Sequence, residues 1–478
     1  MIGVFICIAS GATGPAALGE GDAALPTGPA SGGLAKQYAP IAERIITQVR
    51  AGNDSFKKME ELCDDIGHRL SGSPELEQAV AWAKKTFEKD GHENVRLQKV
   101  MVPKWVRGKE SVTMVKPRVA DMPMLGLGGS EGTPPEGITA PVVVVADEAE
   151  LKALGDKVKG KIVLFNNPMP PFNHETNSAG YGGTVRYRGS GAELVAAQGG
   201  VACLVRSVTA HSLRTPHTGA MRRGDKPRVP AAAVTVEDAA LMGRLAARGK
   251  EVVVTLKMEA RTEADAVSHN VIAELRGSAA PDEIVVIGGH LDAWDVGTGA
   301  HDDGAGCVMA MEAINVLRKM KLTPRRTIRC VLFTNEENGL RGGTKYAEEH
   351  AGEMKNHVAA IESDSGAFKP LGFSVQCEDK ARQDRAVEEI KSLLPLFTPL
   401  GMRRMTGGHG GADISPMAPH GVALLGFEPE GSTYFDYHHT PADTLDKVDP
   451  KMLSDDVAAM AIMSYILADM PGRLGETK

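Results

Sequence analysis

Acidic and histidine side chains recur in five separate segments of the carboxyl-terminal half of the chain. They are His290 and Asp292, Asp302, the adjacent pair Glu336 and Glu337, Asp364, and the adjacent pair His438 and His439. Imidazole and carboxylate are the groups that zinc accepts when no thiolate is present. Two histidines with three carboxylates suit two ions that share one bridging carboxylate, and such ions polarise a carbonyl and activate water. In the glutamate pair, one residue can bind metal while the other takes the proton from that water. The pattern therefore predicts metal-assisted hydrolysis.

A parallel sheet would bring these segments together. After residue 270 the chain alternates between strand and helix patterns, with strands predicted at 284–287, 327–334, 358–361 and 422–427 and a helix at 305–320. That alternation predicts an α/β fold with a largely parallel sheet and helices on its faces. Single acids at strand ends often just cap the next helix, but five such segments are hard to explain as caps. Ligand sites in such sheets lie beyond the carboxyl ends of the strands, so we expect the segments to meet there.

A second, smaller unit is predicted between residues 138 and 259. Short β-type runs occur there at 142–145, 162–165, 202–205, 231–236 and 252–256. This region has no group of His, Asp and Glu at metal-ligand spacing, so it is assigned no chemistry. A length of 478 residues also favours two folding units, because a single core rarely grows beyond about 300 residues. Before this unit, the pattern from Pro40 to Gly91 is helical.

The N-terminus carries a weak export signal. Residues 2–9 form a short apolar run followed by small residues, as in a secretory signal, but no Lys or Arg precedes Lys36. Residues 1–36 are therefore interpreted as a damaged signal peptide followed by a flexible linker. This predicts a secreted or periplasmic protein, and a plain N-terminal tail on a cytoplasmic protein remains the alternative.

Composition excludes several other classes of protein. The net charge is −7 and no block of Lys and Arg occurs, which argues against a nucleic-acid partner. No run of about 18 apolar residues occurs, so no membrane-spanning helix is expected. The six cysteines include no Cys-x-x-Cys pair, which argues against a disulfide scaffold and a thiolate zinc site.

The order and setting of the polar segments resemble those of the co-catalytic zinc exopeptidases, the family of bacterial leucyl aminopeptidases and glutamate carboxypeptidase. The resemblance extends beyond the metal site to the segments 66–73, 187–188, 205–208, 217–219 and 290–297. It covers roughly nine-tenths of the chain, from Ile41 to the C-terminal helix.

The resemblance implies a role for each polar residue. Asp302 would bridge two zinc ions per chain, His290 and Asp364 would complete one site, and Glu337 and His439 would complete the other. Glu336 would be the general base. Asp292 would orient the imidazole of His290, as carboxylates outside a metal's ligand set commonly do.

The resemblance also implies an architecture. The zinc-exopeptidase fold has a central, mostly parallel mixed sheet flanked by helices, and it would occupy residues 37–130 and 262–474. Residues 131–261 would form an inserted, β-rich protease-associated domain, and the protein would be a homodimer.

His438 marks a departure from much of the family. Several members have a tyrosine immediately before the last metal-binding histidine, and its hydroxyl steadies the oxyanion. Here that position holds His438, which is a candidate catalytic donor. The alternative is a histidine that only lies beside the site or in solvent.

The predicted function is that of a zinc-dependent metalloexopeptidase hydrolysing dipeptides or short peptides, as a dipeptidase or carboxypeptidase. An aminopeptidase acting on longer peptides and a glutaminyl cyclase with the same site remain enzymatic alternatives. A binding module without catalysis is a further alternative, but such relatives lose ligands or the base, and here all six positions are filled. The absence of His-Glu-x-x-His excludes endopeptidases of that type.

Overall fold

The computed structural model describes residues 32–222 and 224–476, and their strands form two eight-stranded sheets. The predicted signal peptide and most of the predicted linker lie outside these residues. None of the helices in the two ranges has the length and apolar character needed to cross a bilayer.

Within the described residues the strands are, in chain order, β1 (Glu93–Val106), β2 (Glu110–Lys116), β3 (Ala120–Met122), β4 (Met124–Gly126), β5 (Ile138–Val145), β6 (Ile162–Phe165), β7 (Ala202–Arg206), β8 (Ala231–Val234), β9 (Val253–Met258), β10 (Arg261–Leu275), β11 (Ala280–His290), β12 (Arg326–Phe333), β13 (His357–Glu362), β14 (Pro370–Gln376), β15 (Arg404–Gly407) and β16 (Ala423–Pro429). The α-helices of the same ranges are α1 (Gly32–Ala51), α2 (Ser55–Glu60), α3 (Pro74–Lys89), α4 (Glu148–Leu154), α5 (Tyr181–Thr184), α6 (Arg186–Ala197), α7 (Val236–Ala247), α8 (Ala305–Lys319), α9 (Arg341–Glu349), α10 (Lys380–Leu393), α11 (Tyr434–Tyr437) and α12 (Pro450–Asp469).

The first sheet has the order β1-β10-β12-β11-β13-β16-β14-β15. Its centre is parallel, because β12, β11, β13 and β16 run in the same direction, while β10 and β14 pair with their inner neighbours in antiparallel fashion. The predicted strands at 284–287, 327–334, 358–361 and 422–427 all fall in this centre. The predicted α/β fold with a mostly parallel mixed sheet is confirmed.

Both faces of this sheet are covered. Val285 and Ile287 pack into a core with α1, α8 and α12, whereas Ile284 and Val286 face a second core on the opposite side, which includes Tyr346 of α9. Because neighbouring residues of a strand point to opposite faces, a strand covered on both sides reads as a continuous apolar run. That is why the sequence pattern predicted this strand correctly.

The second sheet has the order β3-β2-β9-β5-β6-β7-β8-β4, with β5 to β8 parallel. It contains all five runs predicted between residues 138 and 259. It also contains β2, β3 and β4, so this unit begins at Glu110, earlier than the predicted boundary at residue 131. The segment before residue 131 lacks a long apolar run, and its strands are recognisable only from their pairing.

The first helix also begins earlier than the sequence indicated. It starts at Gly32 and includes Pro40, which is exposed, whereas the sequence predicted a helical start at Pro40. Packing explains the extension, because Tyr38 is buried and its hydroxyl donates to Asp469 of α12 at 3.1 Å. A proline on the exposed side of a helix then costs one backbone hydrogen bond.

Candidate metal centre

The carboxyl ends of neighbouring parallel strands supply three of the predicted ligands. His290 is the last residue of β11, Glu337 follows the end of β12, and Asp364 follows the end of β13. Because β12, β11 and β13 are adjacent, these ends lie at one edge of the sheet. The loops that carry Asp302 and His439 reach the same edge.

Asp302 lies between two groups of side chains. Its Oδ1 is 3.3 Å from His290 Nε2, and Asp364 Oδ1 is 3.1 Å from the same nitrogen. Asp302 Oδ2 is 3.3 Å from His439 Nε2, and Glu337 Oε2 is 3.0 Å from that same nitrogen. The five predicted ligands therefore form two sets that share Asp302.

The chemistry of this cluster fits divalent cations. Asp302 Oδ2 and Glu337 Oε1 are buried and accept no hydrogen bond in the described part of the chain. Burial, followed by the charge of Asp302, raises the pKa of Glu337 to about 7. Buried carboxylates that crowd one another in this way require a compensating positive charge, and the mixture of imidazole nitrogen and carboxylate oxygen is one that zinc accepts.

The backbone around Asp302 is held by a carboxylate outside the ligand set. Asp443 Oδ1 accepts from the His301 N–H at 2.8 Å, and Asp443 Oδ2 accepts from the Asp302 N–H at 3.2 Å. Close packing also fixes the end of β11, because a Cβ at Gly289 would lie 2.2 Å from Asp303 Oδ2. That same Asp303 oxygen accepts from the His290 N–H, so only glycine fits beside this predicted ligand.

Asp292 makes a different contact from the predicted one. His290 Nδ1 bonds to the main-chain oxygen of Asp292 at 2.9 Å, and the carboxylate of Asp292 is 3.9 Å from that nitrogen. The carboxylate instead accepts from the N–H groups of Glu336 at 3.0 Å and Glu337 at 3.3 Å. Asp292 therefore positions the glutamate pair with its side chain and His290 with its backbone.

Glu336 lines the pocket in front of the cluster and is partly exposed. Burial and the neighbouring charge of Asp364 raise its pKa well above the ordinary value for glutamate. A carboxyl group that faces the open pocket beside the predicted metal ligands is placed to accept a proton. Glu336 and Glu337 thus differ in position, because Glu337 is directed at His439 and Glu336 faces the open pocket.

His438 is buried, so the interpretation as a solvated histidine is wrong. Its ring stacks on His439 with centroids 3.6 Å apart, and its Nε2 is 3.8 Å from Asp302 Oδ2. Burial and the charge of His439 lower the pKa of His438 well below the ordinary value, so its imidazole is neutral. Its Nδ1 is buried without a hydrogen-bond partner among the described residues.

The pocket has a volume of about 560 Å³, and one wall comes from the second-sheet unit. Tyr181 of α5 and Arg188 of α6 line it together with Tyr434 and Phe435 of α11. No role was predicted for these four residues from the sequence. Arg188 belongs to the segment 187–188 that carried the resemblance, and nothing in the sequence distinguishes the aromatic residues of α11 from ordinary core residues.

Two of the resembling segments meet at His439. The His439 carbonyl accepts from the Thr218 N–H at 3.0 Å, and His439 Nδ1 is 3.2 Å from the Thr218 carbonyl. Gly219 has a φ of +138°, and a Cβ there would lie 2.6 Å from Arg188 Nε. The segment 217–219 therefore contacts a predicted ligand and leaves room for Arg188.

Comparisons with known proteins agree with this architecture. The model of peptidase family M28 matches residues 270–464. The chain is 40% identical to carboxypeptidase Q of Mus musculus over 437 residues, which is 91% of this chain and 90% of that protein. It is 41% identical to carboxypeptidase Q of Bos taurus over the same coverage. The solved structure of a peptidase M28 precursor from Shewanella amazonensis SB2B is 35% identical, has a TM-score of 0.86, and covers 92% of this chain and 98% of that chain.

These likenesses confirm two predictions from the sequence: the metallopeptidase class and the exopeptidase-type fold. They also show that, within the wider family, the chain resembles carboxypeptidase Q over nine-tenths of its length. The 40% identity extends over nine-tenths of both chains, so it includes both the region that the family model matches and the second-sheet unit. The chain therefore belongs to peptidase family M28.

Proposed function

We propose that this protein is a dinuclear zinc exopeptidase that hydrolyses dipeptides or short peptides and recognises a free C-terminal carboxylate. One observation carries the dinuclear assignment: the two oxygens of Asp302 face different histidines, each accompanied by its own second carboxylate. A carboxylate in that position would bridge two cations if they were bound. His290 and Asp364 would hold one ion, and Glu337 and His439 the other.

Each remaining residue has a task that its position supports. When bound, two zinc ions polarise the peptide carbonyl and acidify the attacking water. Glu336 takes a proton from that water and delivers it to the leaving amine. Neutral His438 donates a hydrogen bond to the oxygen that gains charge in the transition state. Asp292 keeps Glu336 in place through its backbone N–H.

Arg188 supports recognition of a carboxylate. It is 8% exposed, and its guanidinium contacts a hydroxyl and an imidazole, not a carboxylate, among the described residues. Its Nη2 donates to the Tyr181 hydroxyl, and its Nε has no hydrogen-bond partner in the part of the chain that the structure describes. Its Nη1 is 3.4 Å from His439 Nδ1, which already faces the Thr218 carbonyl. A buried guanidinium without an anion is costly unless a ligand supplies one. A peptide's C-terminal carboxylate is the complementary group, and it forms bidentate bonds with arginine.

The test combines zinc content with blocked substrates. We expect two zinc equivalents per chain, loss of activity on chelation, and recovery on adding zinc. Amidating the C-terminus of a cleaved dipeptide should reduce kcat/KM in the wild type by about 100-fold, because Arg188 would be left unpaired. In Arg188→Met the free and the amidated dipeptides should become equally poor substrates.

Arg186→Met is the matched control, because Arg186 lies on the same helix but is exposed and paired with Glu148. It should keep the wild-type preference for the free carboxylate. Preference for a free amino terminus with no effect of amidation would favour the aminopeptidase alternative. Cyclisation of N-terminal glutamine without release of amino acids would favour the glutaminyl cyclase.

A further inference from the structure

A polar segment of the second-sheet unit crosses to the first sheet beside the active site. We call residues 167–180, between β6 and α5, the strap. Within it, Asn173 and Ser178 exchange backbone hydrogen bonds of 2.8 and 3.1 Å, which close a short loop. The strap therefore has its own local structure although it contains no helix.

Side-chain hydrogen bonds hold the strap against the first-sheet unit. Asn177 Nδ2 donates to the Pro429 carbonyl at 2.9 Å, and Asn177 Oδ1 accepts from the Gly431 N–H at 3.2 Å. Arg404 of β15 donates to the carbonyls of Glu175 at 3.0 Å and Thr176 at 3.2 Å. The strap is thus fixed at the end of β16.

A second cavity of about 250 Å³ lies beneath the strap. Phe172 and Ala179 of the strap line one side, and Phe427 and Pro429 of β16 line another. This cavity adjoins the main pocket, because Tyr434 and Phe435 line both. Ser365, next to the predicted ligand Asp364, also lines it, which places the cavity within reach of a bound substrate.

The charge at the cavity's edge is already compensated. Glu428 Oε1 accepts from the Thr406 hydroxyl at 3.2 Å, and Glu428 Oε2 is 3.7 Å from Arg404 Nε. Four aromatic rings, those of Phe172, Phe427, Tyr434 and Phe435, line the cavity and favour apolar contacts. The side-chain amide of Asn177, also in the wall, is already bonded to Pro429 and Gly431. The cavity therefore offers little attraction for a charged side chain and a good surface for an apolar one.

We propose that the cavity beneath the strap is a specificity subsite that binds a large apolar or aromatic side chain of the substrate, from one of the two residues that flank the cleaved bond. This inference rests on the proposed function, because it adds a side-chain preference to that peptidase. It assigns the strap a role in substrate selection, with Phe172 as a specificity-determining residue.

Kinetics on three dipeptides test the subsite: Ala-Ala, Phe-Ala and Ala-Phe. In the wild type, one of the two phenylalanine dipeptides should have a kcat/KM at least about tenfold above that of Ala-Ala, as expected for an apolar pocket. Phe172→Ala should lower this ratio by about tenfold by removing a wall. Ala179→Trp should lower it by filling the cavity, and Leu213→Ala, a change at a highly exposed apolar residue of the same unit, should leave it unchanged.

Binding measurements separate failure of the subsite from failure of the peptidase proposal. Calorimetric titration of zinc-loaded Glu336→Gln with the same dipeptides reports affinity without turnover. The preferred phenylalanine dipeptide should bind about tenfold more tightly than Ala-Ala, and adding Phe172→Ala should abolish that difference. An unchanged selectivity ratio in Phe172→Ala, or equal binding of all three dipeptides to Glu336→Gln, would overturn the subsite even if the protein is a peptidase. If the wild type cleaves none of them, the calorimetric difference alone decides.

Discussion

Glu336 and Glu337 are adjacent in sequence but differ in what surrounds them. Glu337 approaches His439 Nε2 at 3.0 Å, whereas Glu336 lines the open pocket. We therefore expect Glu336→Gln to keep both zinc ions and lose about 10²–10⁴-fold in kcat, because it removes a proton acceptor and not a ligand. Glu337→Gln is the matched comparison and should lower zinc content. Steady-state kinetics with elemental analysis measure both effects, and zinc loss from Glu336→Gln would mean that the two roles must be exchanged.

His438 provides a separate test at the residue scale. If its neutral imidazole donates to the developing oxyanion, His438→Phe should lower kcat by about 10²–10³-fold, with little change in KM. Zinc content should also stay the same. A fall in zinc content would instead identify His438 as a ligand, since its Nε2 lies 3.8 Å from Asp302 Oδ2. A variant with wild-type kcat and full zinc content would refute a catalytic role.

The two histidines proposed as zinc ligands lead to a prediction of how zinc affinity depends on pH. Burial lowers the pKa of His439, but Glu337 and Asp302 outweigh this effect and raise the pKa to about 9. Burial likewise opposes protonation of His290, and Asp302 and Asp364 raise its pKa well above 6.5. In the metal-free protein this pairing stabilises the fold below about pH 6.5, and the stabilisation is lost as the pH rises through about 9. Zinc must displace these protons, so its apparent affinity should increase from pH 6 toward pH 9. Competition titrations in buffers of different ionisation enthalpy would count the released protons, and a pH-independent affinity would contradict the assignment.

Much of the candidate site could be predicted from residue types and spacing. His290 ends its strand, and Glu337 and Asp364 follow the ends of theirs, so a parallel sheet brings all three to one edge. These predicted ligands therefore follow from local patterns. The contacts of Asp292 could not be predicted, because a carboxylate two residues from a histidine can serve the imidazole or a neighbouring backbone. The position of Arg188 in the pocket could not be predicted either, because it depends on how two distant parts of the chain pack together.

At the scale of elements, Arg69 explains why the segment 66–73, which is distant in sequence from the predicted metal ligands, is part of the resemblance. It is fully buried, and its guanidinium donates to the carbonyls of Gly67, Leu291, Thr298 and Gly299. These bonds fix the connection that leads from β11 to Asp302. A buried cation that serves four carbonyls replaces the regular hydrogen bonds that this loop lacks.

Substituting Arg69 should therefore affect both stability and metal binding. Arg69→Met leaves several buried carbonyls without donors, and we expect a loss of about 3 kcal/mol in the free energy of unfolding. Zinc affinity should fall as well, because the loop before Asp302 loosens. Urea denaturation of the zinc-loaded protein and a zinc competition titration measure these effects. Arg44→Met, at an exposed position of α1, is the control and should change neither quantity.

Strands could be predicted from the sequence where both of their faces are covered. Strands at the edges of the sheets were harder to predict. The central strands carry continuous apolar runs, which the sequence reveals directly. By contrast, β1 and β10 form a long antiparallel pair in which several charged residues are exposed, so neither shows such a run. Their existence depends on pairing between residues more than 150 positions apart, such as Lys99 with His269, and local patterns do not contain that information.

For the whole molecule, the described residues form two sheets that both contribute to one pocket. The first sheet supplies the predicted ligands and the predicted base, and the second-sheet unit supplies Tyr181 and Arg188. Homodimer formation, export, and assignment of the second-sheet unit as a protease-associated domain stay predictions. Size-exclusion chromatography with light scattering would test the first of these directly.

Contacts between Thr218 and His439 connect the second-sheet unit to the proposed metal site. Thr218 belongs to the second-sheet unit, and it bonds to both the main chain and the imidazole of a proposed zinc ligand. Zinc binding and docking of this unit are therefore thermodynamically coupled, and the coupling is reciprocal. The free energy by which the docked unit favours zinc binding equals the free energy by which bound zinc favours docking of that unit. A ligand that shifts the second-sheet unit would then alter metal affinity without touching the metal.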